Sequence, residues 1–141
     1  MRRTGRLLSS RKEFEGAILQ TTPIVSIVDD DEGSRLALSN LVRSLGFQVR
    51  LYESAEEFLT SGGVVDAACL ISDICMPGMS GIDMYEQLLA HGYAPPTIFV
   101  SAYPTPSLQA RAASNGALVL LEKPYSGTIM MHWLSIALGK P

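Results

Sequence analysis

The sequence predicts an α/β domain: one five-stranded parallel sheet with helices on both faces. Three observations carry that prediction. Five short apolar runs recur, at 24–28, 47–52, 67–72, 97–101 and 118–121. Between them the apolar residues fall at helical spacing, so strand and helix alternate and each strand needs a crossover to reach the next. Most of the runs are near-continuously apolar, as strands covered on both faces must be.

Ile24-Val25-Ser26-Ile27-Val28 is the first strand. Leu38, Leu41, Val42 and Leu45 follow at i, i+3, i+4 and i+7, one face of a helix that Gly46 stops. Phe47, Val49 and Leu51 alternate with Gln48, Arg50 and Tyr52, the pattern of a strand nearer an edge. Ser54-Ala55-Glu56-Glu57 is a capping box opening a short helix with Phe58 and Leu59 inward, closed by Gly62-Gly63. The third strand ends in Asp73, Pro77-Gly78 turns the chain, and Ser80-Gly81 opens a helix striped by Ile82, Tyr85 and Leu89. After Pro95-Pro96 comes the fourth strand, then a weaker helix from about Ser107 to Ser114. The fifth strand leads to a last helix that Ser126 caps, with Ile129, Trp133, Ile136 and Ala137 on one face. Met130, Met131, Leu134 and Leu138 lie off that stripe and allow a dimer or partner surface.

A chain of 141 residues suits one domain with a real core. With 47% hydrophobic and 18% charged residues it belongs with folded rather than disordered chains. The net charge of −3 leaves no large cationic surface for nucleic acid. Residues 1–23 differ from the rest: Arg2, Arg3, Arg6, Arg11 and Lys12 face only Glu13 and Glu15, a net +3, so the remainder carries −6. Ser10-Arg11-Lys12-Glu13 there has the capping pattern, with Phe14, Ala17 and Ile18 at helical spacing after it. The expected organisation is an N-terminal extension over 1–23, mobile or weakly helical, a domain over 24–138 and a tail over 139–141. The stretch after Lys123 has room for one helix and no further output domain. Cys69 and Cys75 make neither a metal spacing nor a disulfide framework, as in a reduced, cytoplasmic protein. No apolar run approaches the ~18 residues of a membrane span, and charged residues interrupt any export signal after Arg2-Arg3.

All strands of a parallel sheet point their carboxyl ends at one rim, where open α/β folds place their sites. Asp29, Asp30 and Asp31 follow the first strand, Asp73 ends the third, Ser101 ends the fourth and Lys123 follows the fifth. Taken singly, an aspartate triplet caps a helix and a strand-end lysine or serine is ordinary surface. Together they supply what phosphoryl transfer needs: a nucleophile, a cation site and donors. Asp73 can be the nucleophile. Asp30, Asp73 and a backbone carbonyl, that of Cys75, can hold Mg²⁺, with Lys123 as point charge and Ser101 as hydroxyl donor.

These residues resemble the receiver domain of two-component response regulators, in the pattern of the nitrogen-fixation regulator FixJ and its relatives. Val28-Asp29-Asp30-Asp31, Ser72-Asp73-Ile74-Cys75-Met76-Pro77-Gly78-Met79-Ser80-Gly81, Val100-Ser101-Ala102 and Glu122-Lys123-Pro124 carry the likeness, in order, over roughly 23–138. The resemblance implies a flavodoxin-like (βα)5 fold and a Mg²⁺-dependent phosphoacceptor at Asp73, served by a sensor histidine kinase or phosphotransfer protein. It also implies metal binding by Asp29 and Asp30, phosphoryl contacts from Ser101 and Lys123, and a cis bond before Pro124. The implied output is a surface of the fourth helix, fifth strand and fifth helix that changes its affinity for a partner or a second copy. Such a module signals and is not itself a classified enzyme.

Three features depart from the family pattern or bear on lifetime. The switch-aromatic position holds Leu120, and the loop after Ser101 carries Pro104 and Pro106, which fix backbone angles where movement is expected. Cys75 and Tyr103 flank the expected path of hydrolytic water. The rivals are a receiver-like binding module that works without phosphorylation, and a haloacid-dehalogenase-like phosphatase. The latter requires a second Asp two residues after the nucleophile, where Cys75 stands.

Overall fold

The computed structural model describes residues 22–139, so most of the expected 1–23 extension and part of the 139–141 tail lie outside the described residues. Among the described residues five strands and five helices alternate strictly: β1 Ile24–Val28, α1 Glu32–Ser44, β2 Gln48–Tyr52, α2 Ala55–Thr60, β3 Ala67–Asp73, α3 Gly81–Ala90, β4 Thr97–Ser101, α4 Pro106–Ser114, β5 Val119–Glu122 and α5 Gly127–Leu138. The sheet is wholly parallel, in the order β2-β1-β3-β4-β5. β1 therefore connects outward to β2, and the chain then crosses back to β3 on its other side. The reversal opens a crevice at the carboxyl ends of β1 and β3.

Alternating side chains of these strands feed two apolar layers. Val25, Ile27, Cys69, Ile71, Ile98 and Val100 face one way and pack against Leu38 and Val42 of α1 and Met130 and Leu134 of α5. Val28 and Leu70 face the other way, against Phe58 of α2 and Met84 and Leu88 of α3. Phe99 joins Ile82, Tyr85 and Ala112 under α3 and α4. Burial on both faces explains the uninterrupted apolar runs. Among the described residues every helix starts on a side-chain cap: Asp31, Ser54, Ser80, Thr105 and Ser126 each accept from the backbone amide three residues on.

The structure corrects the sequence reading at four places. α3 turns Leu88 inward, and Leu89, expected on the stripe, is 40% exposed. Met84 and Leu88 face α2, so the apolar stripe is wider than the sheet contact alone requires. In α5 the buried pair is Met130 and Leu134, while Ile129 and Ile136 are exposed. The polar Thr128, His132 and Ser135 fall at i, i+4 and i+7 on the outer side, which puts Met130 and Leu134 opposite them, against the sheet. Of the residues assigned to a partner surface, only Met131 is exposed, and the outward apolar residues are Ile129, Met131 and Ile136. Tyr52, read with the outward residues of β2, is buried edge-on against Phe58, because α2 covers that end of an edge strand. Pro106 occupies the first turn of α4 behind the Thr105 cap, where a preset φ favours the helix.

Candidate functional site

Three strands deliver the rim. β1 ends at Val28, and the Asp29 amide still donates to the Tyr52 carbonyl, which fixes the first aspartate over the β1–β2 edge. Asp31 is spent on structure: its Oδ2 accepts from the Ser34 amide and caps α1. Asp29 is buried and Asp30 exposed. β3 carries Asp73 to the same level, almost buried, with Oδ1 accepting from the Cys75 amide at 3.2 Å. Carboxylate oxygens of Asp29, Asp30 and Asp73 all lie within 4.8 Å of one another.

Lys123 reaches in from the end of β5. Its Nζ donates to Asp73 Oδ2 at 3.0 Å and to Asp29 Oδ2 at 3.4 Å, so one ammonium bridges two carboxylates. The Lys123 amide donates to the Ser101 carbonyl, which sets the side chain's point of departure, and the following peptide bond to Pro124 is cis.

The electrostatics follow from burial and crowding. Burial pushes the Asp29 carboxyl up, and the Asp73 charge adds to this, against the pull of the Asp31 amide and of Lys123. Burial alone would lower Lys123. The hydrogen bond to Asp73 and the charges of Asp29 and Asp73 outweigh it, holding the ammonium above its ordinary range. The site is thus a nest of carboxylates that one internal cation only partly neutralises. Its donor set, hard carboxylate oxygens with one aspartate open to solvent, fits a divalent cation of the Mg²⁺ type.

The loop after Asp73 is pinned from several sides. Gly81 Nα donates to the Ile74 carbonyl, and a Cβ at Gly81 would overlap the Asp73 carbonyl oxygen, so only glycine lets α3 start this close to the acceptor strand. Ser72 Oγ donates to that same carbonyl. Gly78 sits at φ +78°, and Glu56 of α2 accepts from the Met79 amide at 3.1 Å.

Asp29, Asp30, Asp73 and Lys123 are therefore brought together. Ser101 is fully buried at the adjoining strand end, where its hydroxyl accepts from the Tyr103 amide at 3.1 Å. Among the described residues no hydrogen bond joins it to Asp73. Tyr103 is 80% exposed on the loop beyond. Leu120 is partly buried against the Phe99 cluster beneath α4. Cys75 is exposed, and the Cys69 thiol, deep in β3, is pushed up to about 12 by burial.

Arg35 was missed by the sequence reading. It is buried, with its guanidinium donating to the Asp29 carbonyl at 2.7 Å and standing 3.9 Å from Glu53. Its position was a usable signal: Arg35, Leu38 and Val42 fall at i, i+3 and i+7, so a charge sits in the apolar stripe of α1.

A doubly wound parallel sheet whose carboxyl rim gathers three carboxylates and a lysine defines the class. The model of the response regulator receiver domain matches residues 25–134, and the chain belongs to that family. It is 39% identical over 102 residues to the response regulator protein TmoT of Ectopseudomonas mendocina, covering 72% of this chain and 46% of that one. It is 32% identical over 116 residues to the transcriptional regulatory protein FixJ of Azorhizobium caulinodans, covering 82% and 55%. The chain thus spans about half the length of the curated relatives it matches. Among solved structures it is similar to the response regulator StyR, with TM-score 0.78 at 36% identity, covering 84% of this chain and 60% of that one. It is also similar to the FixJ N-terminal domain, with TM-score 0.76 at 29% identity, covering 85% and 96%. Among the described residues no helix is long and apolar enough to cross a membrane.

Proposed function

We propose that Asp73 is the phosphoacceptor of a two-component signalling step, and that residues 24–138 form the unit that performs it. The observation that carries this reading is the Lys123 ammonium between Asp73 and Asp29, with Asp30 at the same rim. A carboxylate so placed sits beside a fixed positive charge, the arrangement an incoming phosphoryl group requires.

In the proposed reaction one Asp73 carboxylate oxygen attacks the phosphorus of a phosphohistidine on a sensor kinase or phosphotransfer protein. The new P–O bond forms as the P–N bond breaks, and the imidazole leaves with the electron pair. Asp29, Asp30, Asp73 and the Cys75 carbonyl would hold Mg²⁺, which when bound supplies neutralising charge to the transferring oxygens. Lys123 moves its contact from the carboxylate to a phosphoryl oxygen. Ser101 exchanges its bond with the Tyr103 amide for a donated bond to another, and that exchange pulls on the loop before α4.

Leu120 occupies the partly buried position from which an aromatic side chain would swing, so the pull is passed on by repacking against Phe99. Exposed Ile129, Met131 and Ile136 make α5, with α4 and β5, the surface that changes partner or dimer affinity. The acidic balance of the domain argues against direct nucleic-acid contact by this chain, and two cysteines that form no disulfide framework suit a cytoplasmic location. Incubation with Mg²⁺ and acetyl phosphate followed by intact mass tests the reading. One added phosphoryl group, absent in Asp73→Asn, supports it. Equal labelling of Asp73→Asn, or none in the parent, overturns it.

A further inference from the structure

Residues 76–79 carry the polypeptide from the rim toward α3, and little backbone bonding holds them. Pro77 has no amide to offer, and Gly78 turns the chain at φ +78°. Packing holds one side only: Met76 is buried with Val28 and Phe58, and Met79 is partly buried against the same cluster. Pro77 and Gly78 are exposed. Among the described residues the Met79 amide makes the one hydrogen bond of this stretch, to Glu56 Oε2 at 3.1 Å, across 23 positions of sequence.

Glu56 projects from a fixed place. α2 opens on a complete capping box: Ser54 Oγ accepts from the Glu57 amide at 3.0 Å, and Glu57 Oε1 accepts from the Glu53 amide at 2.6 Å. Ala55 and Phe58, both fully buried, anchor that first turn from beneath. Of two adjacent glutamates, Glu57 therefore closes its own helix while Glu56 reaches the loop after Asp73. The Glu56 carboxylate lies against the Gly78 turn, since a Cβ on Gly78 would stand 2.8 Å from its Oε2 and 3.7 Å from its Oε1. It covers residue 78 and bonds to residue 79, so one rigid helix holds the turn from outside.

We propose that Glu56 is a positioning residue for the cation: by fixing the Gly78–Met79 turn it sets where the Cys75 carbonyl stands relative to Asp73. The Cys75 amide is tied to Asp73 Oδ1 at 3.2 Å, so residues 75–79 are held by Asp73 at one end and by Glu56 at the other. A carbonyl held in place before the cation arrives is a better ligand than one that must be ordered on binding, because that ordering costs affinity. Among the described residues no hydrogen bond joins Glu56 to Asp29, Asp30, Asp73 or Lys123. Its effect therefore falls on cation affinity and not on attack by Asp73. The inference rests on the Mg²⁺ site proposed above, and goes beyond it by naming a residue outside the ligand set that tunes it.

Glu56→Ala removes the acceptor, and Glu56→Gln keeps an acceptor oxygen while removing the charge. Three readouts on the full chain test the role: hydrogen exchange of the Met79 amide without metal, Mg²⁺ titration followed by rim amide shifts, and the rate of labelling by acetyl phosphate across Mg²⁺ concentrations. In Glu56→Ala the Met79 amide should exchange several-fold faster, with the Phe58 amide of α2 unchanged. Mg²⁺ should bind about three- to tenfold more weakly, the range for one solvent-exposed support. The labelling rate at saturating Mg²⁺ should match the parent. Glu56→Gln should restore affinity to within about twofold of the parent. Parental Mg²⁺ affinity in Glu56→Ala overturns the inference alone. So does Glu56→Gln as weak as Glu56→Ala, which would assign the effect to charge rather than to the bond. A lower plateau rate at unchanged half-saturation overturns it by placing Glu56 in the transfer step. A parent chain that binds no Mg²⁺ overturns both the metal site and the inference.

Discussion

Gly81→Ala isolates the closest approach in the site. Gly81 is not among the glycines with positive φ, so alanine suits its backbone, and as the first residue of α3 it would gain up to about 1 kcal/mol in helix propensity. Space opposes that gain. The added methyl would overlap the Asp73 carbonyl oxygen, and it would stand 2.9 Å from Ser72 Oγ and 3.1 Å from the Asp73 carbonyl carbon. None of these is the yielding end of a long side chain, since Ser72 is buried and bonded to the same carbonyl. Overpacking of this kind costs about 1–3 kcal/mol, so with the full propensity gain set against it the net loss is up to about 2 kcal/mol. Urea denaturation should show a lower midpoint at unchanged slope. Because the displaced group is the acceptor's own peptide, labelling by acetyl phosphate should slow as well. Gly92→Ala is the control: φ is +102° but nothing lies within 4 Å of its Cβ, so it should cost about 1–2 kcal/mol through strain and leave labelling intact. Gly81→Ala with parental stability and parental labelling would refute the reasoning.

Asp29→Asn should stabilise the fold at neutral pH in thermal melts. Burial raises the Asp29 carboxyl, so the folded state binds its proton more tightly than the unfolded one; the penalty of ionising it is present above the raised value and fades as pH falls toward 3.8. The gain of the variant should fade over the same window, and a gain that persisted in acid would contradict this. Arg35→Met should lose about 1–3 kcal/mol in denaturant titration, the cost of removing a charged donor from a buried carbonyl. It should also weaken Mg²⁺ binding read by intrinsic fluorescence or NMR shifts. Arg111→Ala breaks contacts to Asp83 and Glu86 that are well exposed to solvent, so it should cost less than about 1 kcal/mol, shrinking further in high salt.

The sheet was legible because burial on both faces writes a strand as an unbroken apolar run, and because Ser54, Ser80 and Ser126 announce the starts of their helices. The rim was legible because parallel strands force their ends together, whatever their distance in sequence. Rotation of the helices was harder to read. The inward row of α5 falls on Met130 and Leu134, opposite the polar Thr128, His132 and Ser135 that mark the outer side, and Leu88 displaces Leu89 in α3 because α2 supplies a second contact. Tyr52 could not be placed without knowing that α2 closes over the edge strand. Arg35 was passed over because the helical pattern was scored for apolar residues alone, although a buried charge in that row was the sign of a bonded group.

The most direct test of the phosphoacceptor reading traps the bond itself. After labelling with Mg²⁺ and acetyl phosphate, borohydride reduces an acyl phosphate to the alcohol, so an aspartyl phosphate becomes homoserine, which peptide mass spectrometry locates. The account predicts homoserine at position 73 and nowhere else in the rim. Homoserine at Asp29 or Asp30 with Asp73 unchanged would contradict it.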